Sequence, residues 1–203
     1  MTDAADGKRE LSGVESPPLS FGRAMWALVQ CALTTVWLLA TGRTRLPTGN
    51  VGRVLHFADG SSARVYRETL VRREPTAEPV ALIVEFRLRW VHGWGHAWFR
   101  AESLLNTPLF VGFPGFVSKL WLAHNEHGAY RGVYEWDGAA RAVAYVRALW
   151  WPLALVCDRS TIHAVVVPAL RRDAMLRDPD TLERPTASRD WWRVTRVDPA
   201  ADG

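Results

Sequence analysis

The stretch VALIVEFRLRW, residues 80–90, decides how the chain is read. Leu82, Val84, Phe86, Leu88 and Trp90 fall on one face, and Ile83, Glu85, Arg87 and Arg89 on the other. That is the period-two alternation of a strand with one side in a core. Gly93 and Gly95 break the strand, and HAWFRAESLL (96–105) reads as a helix with Trp98, Leu104 and Leu105 on its apolar side. A loop containing Pro108, Gly112, Pro114 and Gly115 leads to a second strand, FVSKLWLAH (116–124). A turn at residues 125–128 gives a third, YRGVYEW (130–136). Asp137 and Gly138 then open a helix from Ala139 to about Val156. Its apolar positions Val143, Val146, Leu149, Trp150 and Leu153 recur at helical spacing, and Pro152 kinks or ends it. TIHAVVV (161–167) is a fourth strand.

The order strand, helix, strand, strand, helix, strand predicts an α+β domain over residues 80–172, of the ferredoxin-like β-α-β-β-α-β kind. Right-handed crossovers put both helices on one face of a four-stranded antiparallel sheet. Leu82, Val84, Phe86, Leu88, Leu120, Leu122, Tyr134, Trp136, Ile162, Ala164 and Val166 then form the layer under the helices. The opposite face receives Glu85, Arg87, Arg89, Lys119, Trp121, Arg131, Glu135 and His163. Buried charges require partners, so two such faces meeting would make a homodimeric barrel with a charge-paired interior.

Residues 1–20 are polar and read as a disordered leader. The run from Ala24 to Gly42 carries no charge and is framed by Arg23, Arg43 and Arg45. A helix over residues 21–45 either packs on the domain or associates with a membrane through residues 24–42. Residues 51–73 predict a β-hairpin extension turning at Asp59-Gly60. Residues 173–203 form a polar tail containing WWRVTRV (191–197).

The chain has 203 residues, 48% of them hydrophobic, with eleven Trp and a net charge of +4. Its Arg residues are scattered among acids, and no nucleic-acid footprint is visible. Cys31 and Cys157 are far apart and lack metal-ligand spacing, which argues against a disulfide framework or structural zinc and fits a reducing cytoplasm. His96, His124, His127 and His163 share no HxH or HExxH spacing, so no metal site is expected and haem ligation is the weakest of the readings. No GxSxG, P-loop or GxGxxG-after-strand signature occurs. Two places for a site remain. One is the charged face, with Lys119, His163 and Arg87 as candidate catalytic groups. The other is the space between sheet and helices, where Tyr134, Trp136, Ser103 and Asn106 are candidate binding residues; Trp121, on the charged face, is a further binding candidate.

PGFVSKLW (114–121) followed by YRGVYEWDGAARAVAYV (130–146) resembles the YdhR-type monooxygenases of the dimeric α+β-barrel superfamily. The shared anchors are Pro114-Gly115-Phe116, Lys119, Trp121, Gly132, Tyr134, Asp137, Ala142 and Tyr145. The resemblance implies a homodimer and a cofactor-independent oxygenase acting on an aromatic or polyketide-like small molecule. Lys119, Arg87 or His163 would take a proton or supply positive field, and Trp121 and Tyr134 would stack on the ring. The alternative is a non-catalytic dimeric small-molecule-binding module, or a structural module apposed to a membrane.

Overall fold

The structure is a computed structural model that describes residues 16–72, 76–89, 109–179 and 191–200. Helix α1 (Phe21–Ala40) precedes strands β1 (Thr44–Arg45), β2 (Val54–Phe57), β3 (Ser62–Val71), β4 (Pro79–Arg87), β5 (Phe116–Leu122) and β6 (Ala129–Asp137). Helix α2 (Ala139–Val156), strand β7 (His163–Pro168), helix α3 (Arg172–Arg177) and strand β8 (Val194–Asp198) complete the described elements. The helix expected over residues 96–105 lies outside the described residues.

The strands form one antiparallel sheet in the order β7-β4-β6-β5-β3-β2-β8, with β1 beside β3. The sheet is a curled half-barrel of eight strands. This corrects the expected architecture, a compact four-stranded ferredoxin-like sheet whose open face awaits a second copy. β5 does not end the sheet. β3 runs along it from Val65↔Leu122 to Leu70↔Ser118, so the expected hairpin extension is an integral part of the sheet. β8, from the expected tail, pairs with β2. The physical reason is that an uncovered strand edge exposes a row of unpaired backbone groups, and this chain carries its own strands to cover it. β3 is irregular between Val65 and Arg67, where it passes from pairing with β2 to pairing with β5. Such bulges increase twist, which fits a sheet that curls here.

Two cores lie on the two sides of the sheet. The first joins Val80, Leu82, Val84, Trp121, Tyr134, Trp136 and Ala164 to α1 (Leu28, Cys31, Leu38) and α2 (Tyr145, Val146, Leu149). The second joins Ala81, Ile83, Leu120, Leu122 and Val133 to Leu55, Phe57, Val194 and α3 (Met175, Leu176), with Trp191 and Trp192 packed against it. The second face is therefore covered by the chain itself. Ala81 and Ile83, both fully buried, belong to it, so β4 is apolar on both sides near its start.

One strand has the opposite parity to that expected. Phe116 pairs with Trp136, but Ser118 pairs with Glu135, so Val117 is an extra residue. After this bulge Lys119 pairs with Tyr134 and Trp121 with Gly132. Lys119 and Trp121 thus face the α1/α2 side, and Leu120 and Leu122 face the second core. A single inserted residue exchanges the two faces of everything that follows it in a strand.

Candidate active site around a buried lysine

β5 and β6 place Lys119, Trp121 and Tyr134 on one face, and β3 adds Arg67 and Thr69 opposite Trp121 and Lys119. The Lys119 side chain is 7% exposed. Its Nζ lies 3.2 Å from the centroid of the Trp121 ring, 4.6 Å from Phe110 and 4.7 Å from Tyr134. Among the described residues it has no hydrogen bond and no carboxylate partner. The Trp121 indole is fixed by donating from Nε1 to Thr69 Oγ1 at 3.1 Å, and the Arg67 guanidinium carbon lies 4.9 Å from the same ring.

Burial, and after it the nearby Arg67 charge, hold the Lys119 amine well below the ordinary lysine range. The ring faces pull the other way, since each attracts a cation by about 0.5–2 kcal/mol. Desolvation is nonetheless the largest influence on this amine and sets the direction of the shift. The site therefore holds an amine whose neutral form is favoured more than in a solvated lysine, with a guanidinium beside it.

The surrounding shell fixes this arrangement. Tyr145 of α2 donates its hydroxyl to the Tyr134 hydroxyl at 3.2 Å. Burial raises both phenols above their ordinary range, so each remains protonated at neutral pH. Gly132 makes room for the Tyr134 ring: a Cβ there would lie 2.7 Å from a ring carbon. From above, α1 lies against the loop following residue 108. A Cβ on Gly112 would lie 2.0 Å from the Cys31 carbonyl oxygen, so only glycine allows this approach. The chain enters α1 at Ser20 and leaves it through Gly42. There, at φ +64°, the Arg43 N–H reaches Leu38 O and the Gly42 N–H reaches Leu39 O, a Schellman end.

The expected candidates separate. Lys119, Trp121 and Tyr134 come together. Trp136 is buried on the same face, 4.8 Å from the Tyr145 ring and 5.7 Å from Phe116. Arg87 is exposed at the end of β4. His163 pairs across β4 with Glu85 on the second face, its ring 6.0 Å from Trp191, with the sheet between it and Lys119. Ser103 and Asn106 lie outside the described residues. Arg67 and Thr69 were not anticipated. Their alternation with Val71 along β3 was the available signal, but it points at this site only once β3 is known to pair with β5.

The remaining charges of the second face are paired within the chain. Arg131, stacked over Phe57, donates to Glu85 at 2.5 Å, to Asp59 and to Ser61 at 2.7 Å. Burial works against the Asp59 carboxylate, but hydrogen bonds from Ser61 and the Arg131 charge outweigh it and hold its pKa below the usual value. Arg172 pairs with Glu68 at 2.7 Å, and its backbone N–H donates to Glu135. These pairs tie the β2–β3 turn and α3 to the sheet, a structural role. Among the described residues no group of three or more His, Cys, Asp or Glu side chains is placed to hold a metal ion.

Comparison of the sequence with protein-family models and with curated proteins finds no match. The likeness to YdhR-type monooxygenases stands on its quoted residues alone.

Proposed function

We propose that this protein binds a weakly acidic aromatic small molecule as its anion, with Lys119 accepting the proton. The observation that supports this reading is the Lys119 amine itself: nearly buried, bounded by three aromatic rings, and without a hydrogen bond or carboxylate among the described residues. A neutral amine takes the proton of a phenol whose acidity matches its lowered basicity, such as a nitrophenol, and the ammonium so formed pairs with the phenolate in a medium where such attraction is strong. Arg67, across the Trp121 ring, adds a second positive charge for the anion. Trp121 and Phe110 supply flat surfaces for a ring. Oxygenation without a cofactor is one reaction open to an electron-rich phenolate. Oxygen uptake with such a compound would extend the proposal from binding to catalysis.

The probe is 4-nitrophenol, whose colour reports its ionisation. Wild-type protein is expected to raise the phenolate fraction at a pH where the free compound is largely protonated, and Lys119→Met is expected to lose this. An unchanged spectrum with wild-type protein, or an equal shift with Lys119→Met, overturns the proposal. His163→Gln, on the far side of the sheet, is expected to leave the shift intact.

A further inference from the structure

We infer that α1 is a membrane-docking helix that lies in the plane of an anionic lipid surface. Its inward face, Ala24, Leu28, Cys31, Thr35 and Leu38, is buried against the protein. Its outward face carries Trp26, Val29, Leu33, Val36 and Trp37, each at least half exposed. These residues recur at helical spacing opposite the buried stripe, so the exposure is one continuous apolar band. The exposed apolar Leu155 and Val156, at the end of α2, belong to the helix packed beside α1. Large exposed apolar patches mark sites of interaction with proteins or membranes.

Three observations select lipid over a protein partner. The first is charge. Residues 16–58 contain Arg23, Arg43, Arg45 and Arg53 and no Asp or Glu. Arg23, Arg43 and Arg45 are exposed at the two ends of the helix, where they complement anionic headgroups. The second is the aromatic pair. Trp26 and Trp37 share the outward face, and the Arg43 guanidinium lies 4.8 Å over the Trp37 ring. Indole with guanidinium suits the headgroup boundary. The third is the polar edge. The exposed Thr34 and Thr41 donate their hydroxyls to Gln30 O and Trp37 O of their own helix, each at 2.9 Å, so neither depends on water.

The helix is long and apolar enough to cross a membrane by length and composition. Spanning would strip Cys31 from Gly112 and expose the buried stripe to lipid. The two indoles also argue for an in-plane position. They are eleven residues apart, about 16 Å of helix, which cannot reach both edges of a hydrocarbon core about 30 Å thick but puts both at one depth when the helix lies flat. This inference is independent of the ligand proposed for Lys119.

The test is flotation of the full chain with phosphatidylcholine vesicles, with and without phosphatidylglycerol. The protein is expected to float with the anionic vesicles, to be released by high salt, and to lose at least about tenfold in partitioning on Leu33→Glu/Val36→Glu. Both positions are more than 60% exposed, so the fold is expected to survive. Arg23→Glu/Arg45→Glu, which leaves the apolar band intact, is expected to weaken binding to anionic vesicles only. A wild-type chain that ignores vesicles and runs as a dimer through this face overturns the inference. So does vesicle binding unchanged in both variants, or protein that only detergent releases.

Discussion

At the scale of single residues, function and stability pull against each other at Lys119. A polar group buried without a hydrogen bond costs about 1–3 kcal/mol. Lys119→Met, of similar length and apolar, is therefore expected to raise stability by about that amount at neutral pH while abolishing the phenolate shift. Chemical denaturation of both proteins checks it. The pH dependence has a definite sign. Below 10.5 the unfolded chain protonates this lysine more fully than the folded chain does, so the unfolded state binds more protons and stability rises with pH. The cost of the buried amine is thus greatest on the acid side and fades toward the ordinary lysine value of 10.5. The advantage of Lys119→Met should shrink as pH rises toward 10.5. The two thiols are expected to be inert. Burial pushes Cys31 up to about 11 and Cys157 up to about 12, leaving almost no thiolate at neutral pH. A thiol-directed chromogenic reagent should modify both only after unfolding; rapid reaction in the folded protein would contradict their placement.

At the scale of elements, joints between segments decide both the fold and the site. Gly112→Ala drives a methyl into the Cys31 carbonyl, so α1 must lift from the loop below it. A loss of about 1–3 kcal/mol is expected, read as a lowered denaturation midpoint with α1 amides exchanging faster. On the other face, Arg131→Ala leaves Glu85 and Asp59 without their shared cation, and a loss of about 3–5 kcal/mol is expected by the same measurement. Much of this was legible in residue order. The alternation in β4 places Leu82 and Val84 against the helices, and Tyr134 and Trp136 in β6 follow the same rule. β5 was not legible. A lysine beside apolar neighbours reads as solvent-facing or barrel-facing, and nothing in FVSKLWL marks the extra residue at Val117 that turns Lys119 toward Tyr134. The near-uniform apolar start of β4 likewise conceals a second core, because Ala81 and Ile83 look like the weaker side of an alternation and are in fact fully buried.

At the scale of the whole molecule, a chain that had been expected to need a second copy to cover its charged face covers that face alone. The sheet curls, β2, β8 and α3 close over Ile83, Leu120 and Val133, and Glu68, Glu85 and Glu135 meet Arg131 and Arg172 of the same chain. Such long-range pairing could not be read from residues 80–172, since its partners come from residues 54–71 and 191–198. With that face filled and α1 and α2 laid over the other, one nearly buried amine stands among aromatic rings, and the functional proposal depends on this. The chain's only lysines are Lys8 and Lys119. A pH titration of the lysine side-chain ε-carbon resonances, assigned with Lys119→Met, therefore reads the amine directly. The expected result is a Lys119 resonance that titrates well below the ordinary lysine range, while the unfolded chain shows both lysines near 10.5. A Lys119 resonance in the folded protein that titrates near 10.5 would contradict it.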